Sequence, residues 1–145
     1  MLSSINTTRA TFHKSERLCS RKTIGTLFES GNIFHSSLFK VVWSECQFTL
    51  PSPAQVTFSV SKRGFRLAVT RNLIKRRLRE AYRKNKNVLY DHLVAENIQI
   101  AFMVIVRGNT VPDYLTIEKS IRKMIIKLIT LTSQKTEDGS RKQEV

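Results

Sequence analysis

Apolar positions along the chain fall into three rhythms, and each predicts a kind of element. Between Ser20 and Gly31, Ile24, Leu27 and Phe28 recur at helical spacing, which predicts a short amphipathic helix over residues 20–30. Ser20 is a plausible cap for its first turn, and Gly31 is placed as the C′ residue that stops it. Asn32 to His35 predicts a short strand. Leu38 to Phe48 predicts a longer one from its β-branched and aromatic content. Pro51-Ser52-Pro53 makes a turn, and Gln55 to Ser61 then alternates. Val56, Phe58 and Val60 fall on one side, and Thr57, Ser59 and Ser61 on the other. A polar strand face of this kind can floor a groove. Ile98 to Val106 is almost continuously apolar, as expected of a strand in the middle of a sheet. Pro112 and Asp113 then open a last helix, whose stripe of Tyr114, Ile117, Ile121, Met124, Ile125 and Leu128 faces a core.

The remaining long segment is a helix from about Leu67 to Leu93. Ile74, Leu78, Ala81 and Tyr82 share one face, which Val88 and Leu89 extend. Asn72, Lys75, Arg76, Arg79, Arg83 and Lys86 share an adjacent flank. Arg71, Lys75, Arg79 and Arg83 follow one another at i,i+4 spacing, and each such pair destabilises an isolated helix by a few tenths of a kcal/mol. Glu80 is the one acid within local reach. A one-signed strip of this kind is best explained by a polyanion that neutralises it and releases its counterions.

The elements follow the order α-β-β-β-α-β-α, an α+β single-domain sandwich with a mixed four-stranded sheet. Residues 1–14 read as a flexible N-terminal arm, 15–132 as the folded RNA-binding domain, and 133–145 as a disordered polar tail. For the strand–helix–strand unit over 55–106, the general rule expects a right-handed crossover if its strands are parallel.

Composition sharpens the reading of the basic helix. The chain has 145 residues and a formal charge of +14 at pH 7, which suits one domain whose partner is a nucleic acid. No apolar run is long enough to span a bilayer, and the first residues lack the apolar core of a secretory signal. Cys19 and Cys46 lie in no metal-ligand spacing, and His13, His35 and His92 form no pattern with them. Free thiols in a reducing cytoplasm are the expectation, and no catalytic constellation is visible. Arg forks phosphate oxygens while Lys acts as a mobile charge. Asn72 can read a base edge or a 2′-hydroxyl. Phe28, Phe39, Trp43, Phe58 and Phe65 lie on or beside the first helix and the sheet, where any that face outward can stack on unpaired bases. Aromatics on a sheet beside a basic helix favour RNA over duplex DNA.

The segment Val60-Ser61-Lys62-Arg63, followed by Ala68 to Arg83 (AVTRNLIKRRLREAYR), resembles the signature of the bacterial ribonuclease P protein family. Arg17-Leu18 and the run from Leu27 to Gly31 resemble that family's first helix and its closing glycine, and the likeness spans about residues 15–130. The resemblance implies a left-handed crossover carrying the basic helix. It also implies a role as protein subunit of an endoribonuclease whose bond chemistry belongs to its RNA. Arg71, Asn72, Lys75, Arg76, Arg79 and Arg83 would contact the catalytic RNA subunit. Phe28, Lys62, Arg63, Ile24 and Trp43 would face the single-stranded 5′ leader of precursor tRNA, in a cleft between the first helix and the sheet. No cofactor would bind the protein alone, Mg2+ would sit at the RNA active site, and one protein would serve each RNA in the cytoplasm, away from any membrane. Ile24 stands where many relatives have a second aromatic, and Val42 where some have Tyr, with Trp43 adjacent. The Lys62–Ala68 connection is about one residue longer than in many relatives.

Two other readings make different predictions. A ribosome-associated structural RNA-binding protein would co-sediment with ribosomal subunits and leave precursor tRNA cleavage unaffected. A DNA regulator would need a dimer interface and base discrimination of roughly 1–3 kcal/mol per pair.

Overall fold

The computed structural model describes residues 12–36, 38–46 and 52–144, with side chains as far as Ser133. A 3-10 turn at Lys14–Glu16 precedes helix α1 (Arg21–Ser30). Strands β1 (Asn32–His35), β2 (Phe39–Glu45) and β3 (Ala54–Val60) follow, then helix α2 (Ala68–Ala95), strand β4 (Ile100–Val106) and helix α3 (Tyr114–Glu144). This is the predicted order. The Ser20 hydroxyl oxygen accepts the Thr23 N–H at 3.2 Å, so the first turn of α1 is capped as expected.

The four strands lie in the order β1-β2-β4-β3. β1 and β4 each pair antiparallel with β2, and β3 runs parallel to β4, so α2 is the crossover between two parallel neighbours. Its inner position explains why β4 is apolar along its length. Residue alternation then divides the sheet into two faces. Phe39, Val41 and Trp43 of β2, Val56 and Phe58 of β3, and Phe102 and Val104 of β4 share one core with α2 and α3. On the other face Val42 and Ala101 meet Leu18 and Leu27. Two long helices cover the first face, and the ten-residue α1 crosses the second.

Gly31 ends α1 differently from the expectation. Its backbone is extended (φ −70°, ψ 157°) and makes no left-handed turn. A Cβ here would lie 2.5 Å from the Leu27 carbonyl oxygen and 2.7 Å from Val42 Cγ1. Glycine is required because the end of α1 runs against β2, at a spacing no side chain fits.

Four further expectations change. Residues 12–14 do not belong to a free arm: the Phe12 ring packs 6.3 Å from Phe58 and 5.8 Å from Tyr82, while residues 1–11 lie outside the described residues. The backbone of α3 continues as helix to Glu144, where loss of periodicity had suggested a disordered tail. Adding residues to a formed helix costs far less than starting one. Val88 is 62% exposed and lies off the core face of α2, whereas Lys86 is buried. The strand expected to reach Phe48 ends at Glu45, and 47–51, with Pro51 of the predicted turn, fall outside the described residues.

Candidate nucleic-acid interface

Helix α2 forms because Leu73 to Lys86 contains strong helix formers and neither Gly nor Pro. Ile74, Leu78, Ala81 and Tyr82 anchor it fully buried against the sheet, which leaves the opposite flank to solvent. On that flank Asn72, Arg76 and Arg79 are exposed and Lys75 is half-buried. None of the four has a hydrogen bond or ion pair among the described residues. Four side chains able to engage phosphates or 2′-hydroxyls thus converge on one unobstructed surface.

The neighbouring basic residues are engaged within the protein. Arg71 Nη1 donates to the Phe65 and Arg66 carbonyls, both at 2.8 Å, clamping the connection between β3 and α2. Arg77 Nη1 donates to the Pro112 carbonyl at 2.7 Å, tying α2 to the start of α3. Arg83 forks the Glu80 carboxylate at 2.9 and 2.7 Å, and that hydrogen bond holds the Glu80 carboxyl below its ordinary range. The predicted contact set therefore divides. Asn72, Lys75, Arg76 and Arg79 stand open, while Arg71 and Arg83 have part of their guanidinium donors committed to internal bonds.

Lys86 leaves the strip altogether. Its ammonium is paired with the Glu16 carboxylate, and both side chains are about 5% exposed. Tyr90 Oη donates to the same carboxylate at 2.6 Å, and the His13 N–H donates to its second oxygen at 2.6 Å. Burial alone would raise the Glu16 pKa. The hydrogen bonds from Lys86, Tyr90 and His13, with the Lys86 charge, outweigh burial and lower it. Sequence reasoning missed this cluster. Its one available signal was a lone acid in the basic N-terminal stretch.

On the other face of the sheet, α1 buries a single residue, Leu27, worth roughly 1.5–3 kcal/mol. Phe28 is 63% exposed, and Ile24 is half-buried against the cluster of Leu18, Leu27, Val42 and Ala101. Phe28 and Thr26 are two residues apart, so helical geometry puts them on opposite flanks of α1. Along the Thr26 flank runs a groove of about 560 Å³ lined by Lys22, Thr23, Ser44, Cys46 and Gln55, where burial pushes the Cys46 thiol pKa up. On the same sheet face, β3 turns Thr57 and Ser59 outward, paired with Met103 and Ile105. Lys62 and Arg63 follow the end of β3 and are exposed, with the Arg63 N–H held by the Ser61 hydroxyl at 3.1 Å. The predicted alternation of β3 is present, with its polar side chains half-buried on this face.

Trp43 is not on that face. It is 3% exposed and sits in the core with Phe39 and Val41, while its neighbour Val42 takes the α1 side. A one-residue difference on a strand exchanges the two faces of a sheet, so Trp43 cannot replace the missing cleft aromatic. Phe39, Phe58 and Phe65 are buried as well. Phe28 is the exposed aromatic of the set. Among the described residues, no three His, Cys, Asp or Glu side chains come together to hold a metal ion. Nor is any described helix long and apolar enough to cross a membrane.

Comparison with known proteins bears on the family and the fold. The family model Ribonuclease P matches residues 12–129. The ribonuclease P protein component of Porphyromonas gingivalis is 40% identical over 126 residues, 84% of this chain and 90% of that protein. The RNase P protein of Staphylococcus aureus superposes with a TM-score of 0.63 at 22% identity, covering 79% of this chain and 95% of that one. The protein from Thermotoga maritima gives 0.61 at 22% identity, over 76% and 94%. At such identity the two structures speak for the fold alone.

Proposed function

The chain belongs to the ribonuclease P protein family, and from that premise we propose how its two surfaces divide the work. As a ribonuclease P protein component it serves an endoribonuclease of tRNA processing. In our reading Asn72, Lys75, Arg76 and Arg79 dock on the catalytic RNA subunit, one protein per RNA. Phe28, Ile24, Lys62 and Arg63 border a cleft for the single-stranded 5′ leader of precursor tRNA. Phe28 stacks on an unpaired base, Thr57 and Ser59 offer hydroxyls to the strand, and Lys62 and Arg63 meet its phosphates. The chain binds and orients the substrate. Mg2+ held by the RNA would supply the activated water and the charge stabilisation for phosphodiester hydrolysis. The reaction belongs where precursor tRNA is made, in the cytoplasm.

The observation that carries this reading is the set of unpartnered residues on one flank of α2. Such a strip repels itself and gains stability only from an external polyanion. Adding the protein to a folded bacterial ribonuclease P RNA at low Mg2+ should restore leader removal. Absence of rescue would overturn the reading. In the same assay Phe28→Ala should weaken binding of leader-bearing tRNA by about 1–3 kcal/mol, the worth of one base stack, and leave binding of mature tRNA unchanged.

A further inference from the structure

Helix α1 is a cleft wall with little holding it in place. It has ten residues, Gly25 in its middle, and one buried side chain, Leu27. A helix of this length does not persist unaided in water, so its position must be set by the segments that flank it. On one side, Gly31 seats its end against β2. On the other, the four residues before α1's cap lead back to Glu16, and there the chain is fastened three times over. The Glu16 carboxylate is buried with Lys86 of α2 and accepts from Tyr90 Oη. The Leu18 N–H donates to the Val56 carbonyl at 2.9 Å. The Gln55 amide donates to the Ser15 carbonyl at 3.0 Å. Phe12 closes the far end between Phe58 and Tyr82.

We propose that Glu16 and Lys86 are positioning residues for the leader, fastening the wall that carries Ile24 and Phe28 to the helix that docks on RNA. This rests on the leader-cleft reading above and deepens it. Neither side chain reaches the cleft, since both are buried on the helix side of the sheet. They act by fixing where α1 begins. An ion pair suits this task better than an apolar contact, because a buried charge accepts few alternative placements and so fixes the register of the segment. The 3-10 turn at Lys14–Glu16 has the matching local form, with the His13 N–H held on the Glu16 carboxylate.

The test uses the reconstituted holoenzyme and two variants that loosen the segment by different routes. Glu16→Gln removes the charge at nearly unchanged size and turns one of the two acceptor oxygens into an NH2 donor. Phe12→Ala releases the far end and leaves the ion pair intact. For each, affinities for leader-bearing and mature tRNA are measured alongside affinity for the RNA subunit. Hydrogen exchange follows the amides of α1 and α2. The expected result is that preference for leader-bearing tRNA falls roughly five- to tenfold, part of one base stack. Exchange of α1 amides should quicken more than that of α2 amides while RNA-subunit affinity holds. Unchanged preference in both variants would overturn the proposal, and so would a loss of preference matched by equal loss of RNA-subunit affinity, which marks general unfolding. A wild-type holoenzyme that shows no leader preference would instead sink the cleft reading itself, taking this proposal with it.

Discussion

The two halves of α2 carry similar basic residues and put them to different uses. In the first half the side chains of Asn72, Lys75, Arg76 and Arg79 have no hydrogen bond or ion pair among the described residues. In the second, Arg83 and Lys84 share Glu80 at 2.7 and 3.9 Å, and Lys86 is sealed against Glu16. Composition does not separate these halves; the positions of two carboxylates do. Where a carboxylate is within reach, or a backbone carbonyl as for Arg71 and Arg77, a cation becomes part of the fold, and where neither is, its charge is left for a partner. The second half thus belongs to stability, and the open positions of the first half to binding.

Lys86→Ala should have the largest effect on this division. It leaves Glu16 buried without its cation, a loss of about 3–5 kcal/mol, readable by equilibrium denaturation. The same pair shapes the response to acid. Because the folded-state pKa of Glu16 is lowered, its contribution is fully present above the unfolded carboxylate pKa and is lost as pH falls through the folded value. Stability measured from neutral pH downward should therefore fall below the ordinary carboxylate range, and Glu16→Gln should flatten that limb.

Arg71→Ala should be intermediate. It removes two hydrogen bonds from a charged donor to carbonyls, at a cost of roughly 1.5–3 kcal/mol that thermal unfolding would register. If RNA binding fell and stability held, Arg71 would move to the binding half. Arg83→Ala should be smallest. Its fork with Glu80 is about a third exposed on the Arg side, and such pairs contribute about 0.2–1 kcal/mol. Its effect on RNA affinity should be weaker than that of Arg76→Ala, because the paired Glu80 carboxylate offsets the charge that Arg83 presents to phosphate.

Much of this division could be read before the fold was known, and the limits have physical causes. Helical spacing gave α1 its bounds to a residue, and alternation in β3 located both its faces, since each pattern repeats within a few positions. The apolar run of β4 announced its place inside the sheet. Trp43 went to the wrong face because aromatic content identifies a strand without fixing which neighbour points inward. Lys86 looked like one more member of a cationic row, since its partner lies 70 residues away and no local pattern encodes such a distance. Gly31 was recognised as a helix stop, but the reason, its contact with Val42 across the chain, exists only after β2 has docked.

The salt dependence of binding to ribonuclease P RNA, compared between wild type and the Arg76→Ala, Arg79→Ala double variant, tests the central division most directly. Two lost phosphate contacts should make the log–log slope shallower by about one and a half units, with no change in the protein's thermal stability. An unchanged slope, or a slope that changes only as the protein unfolds, would contradict the assignment of the open half of α2 to RNA.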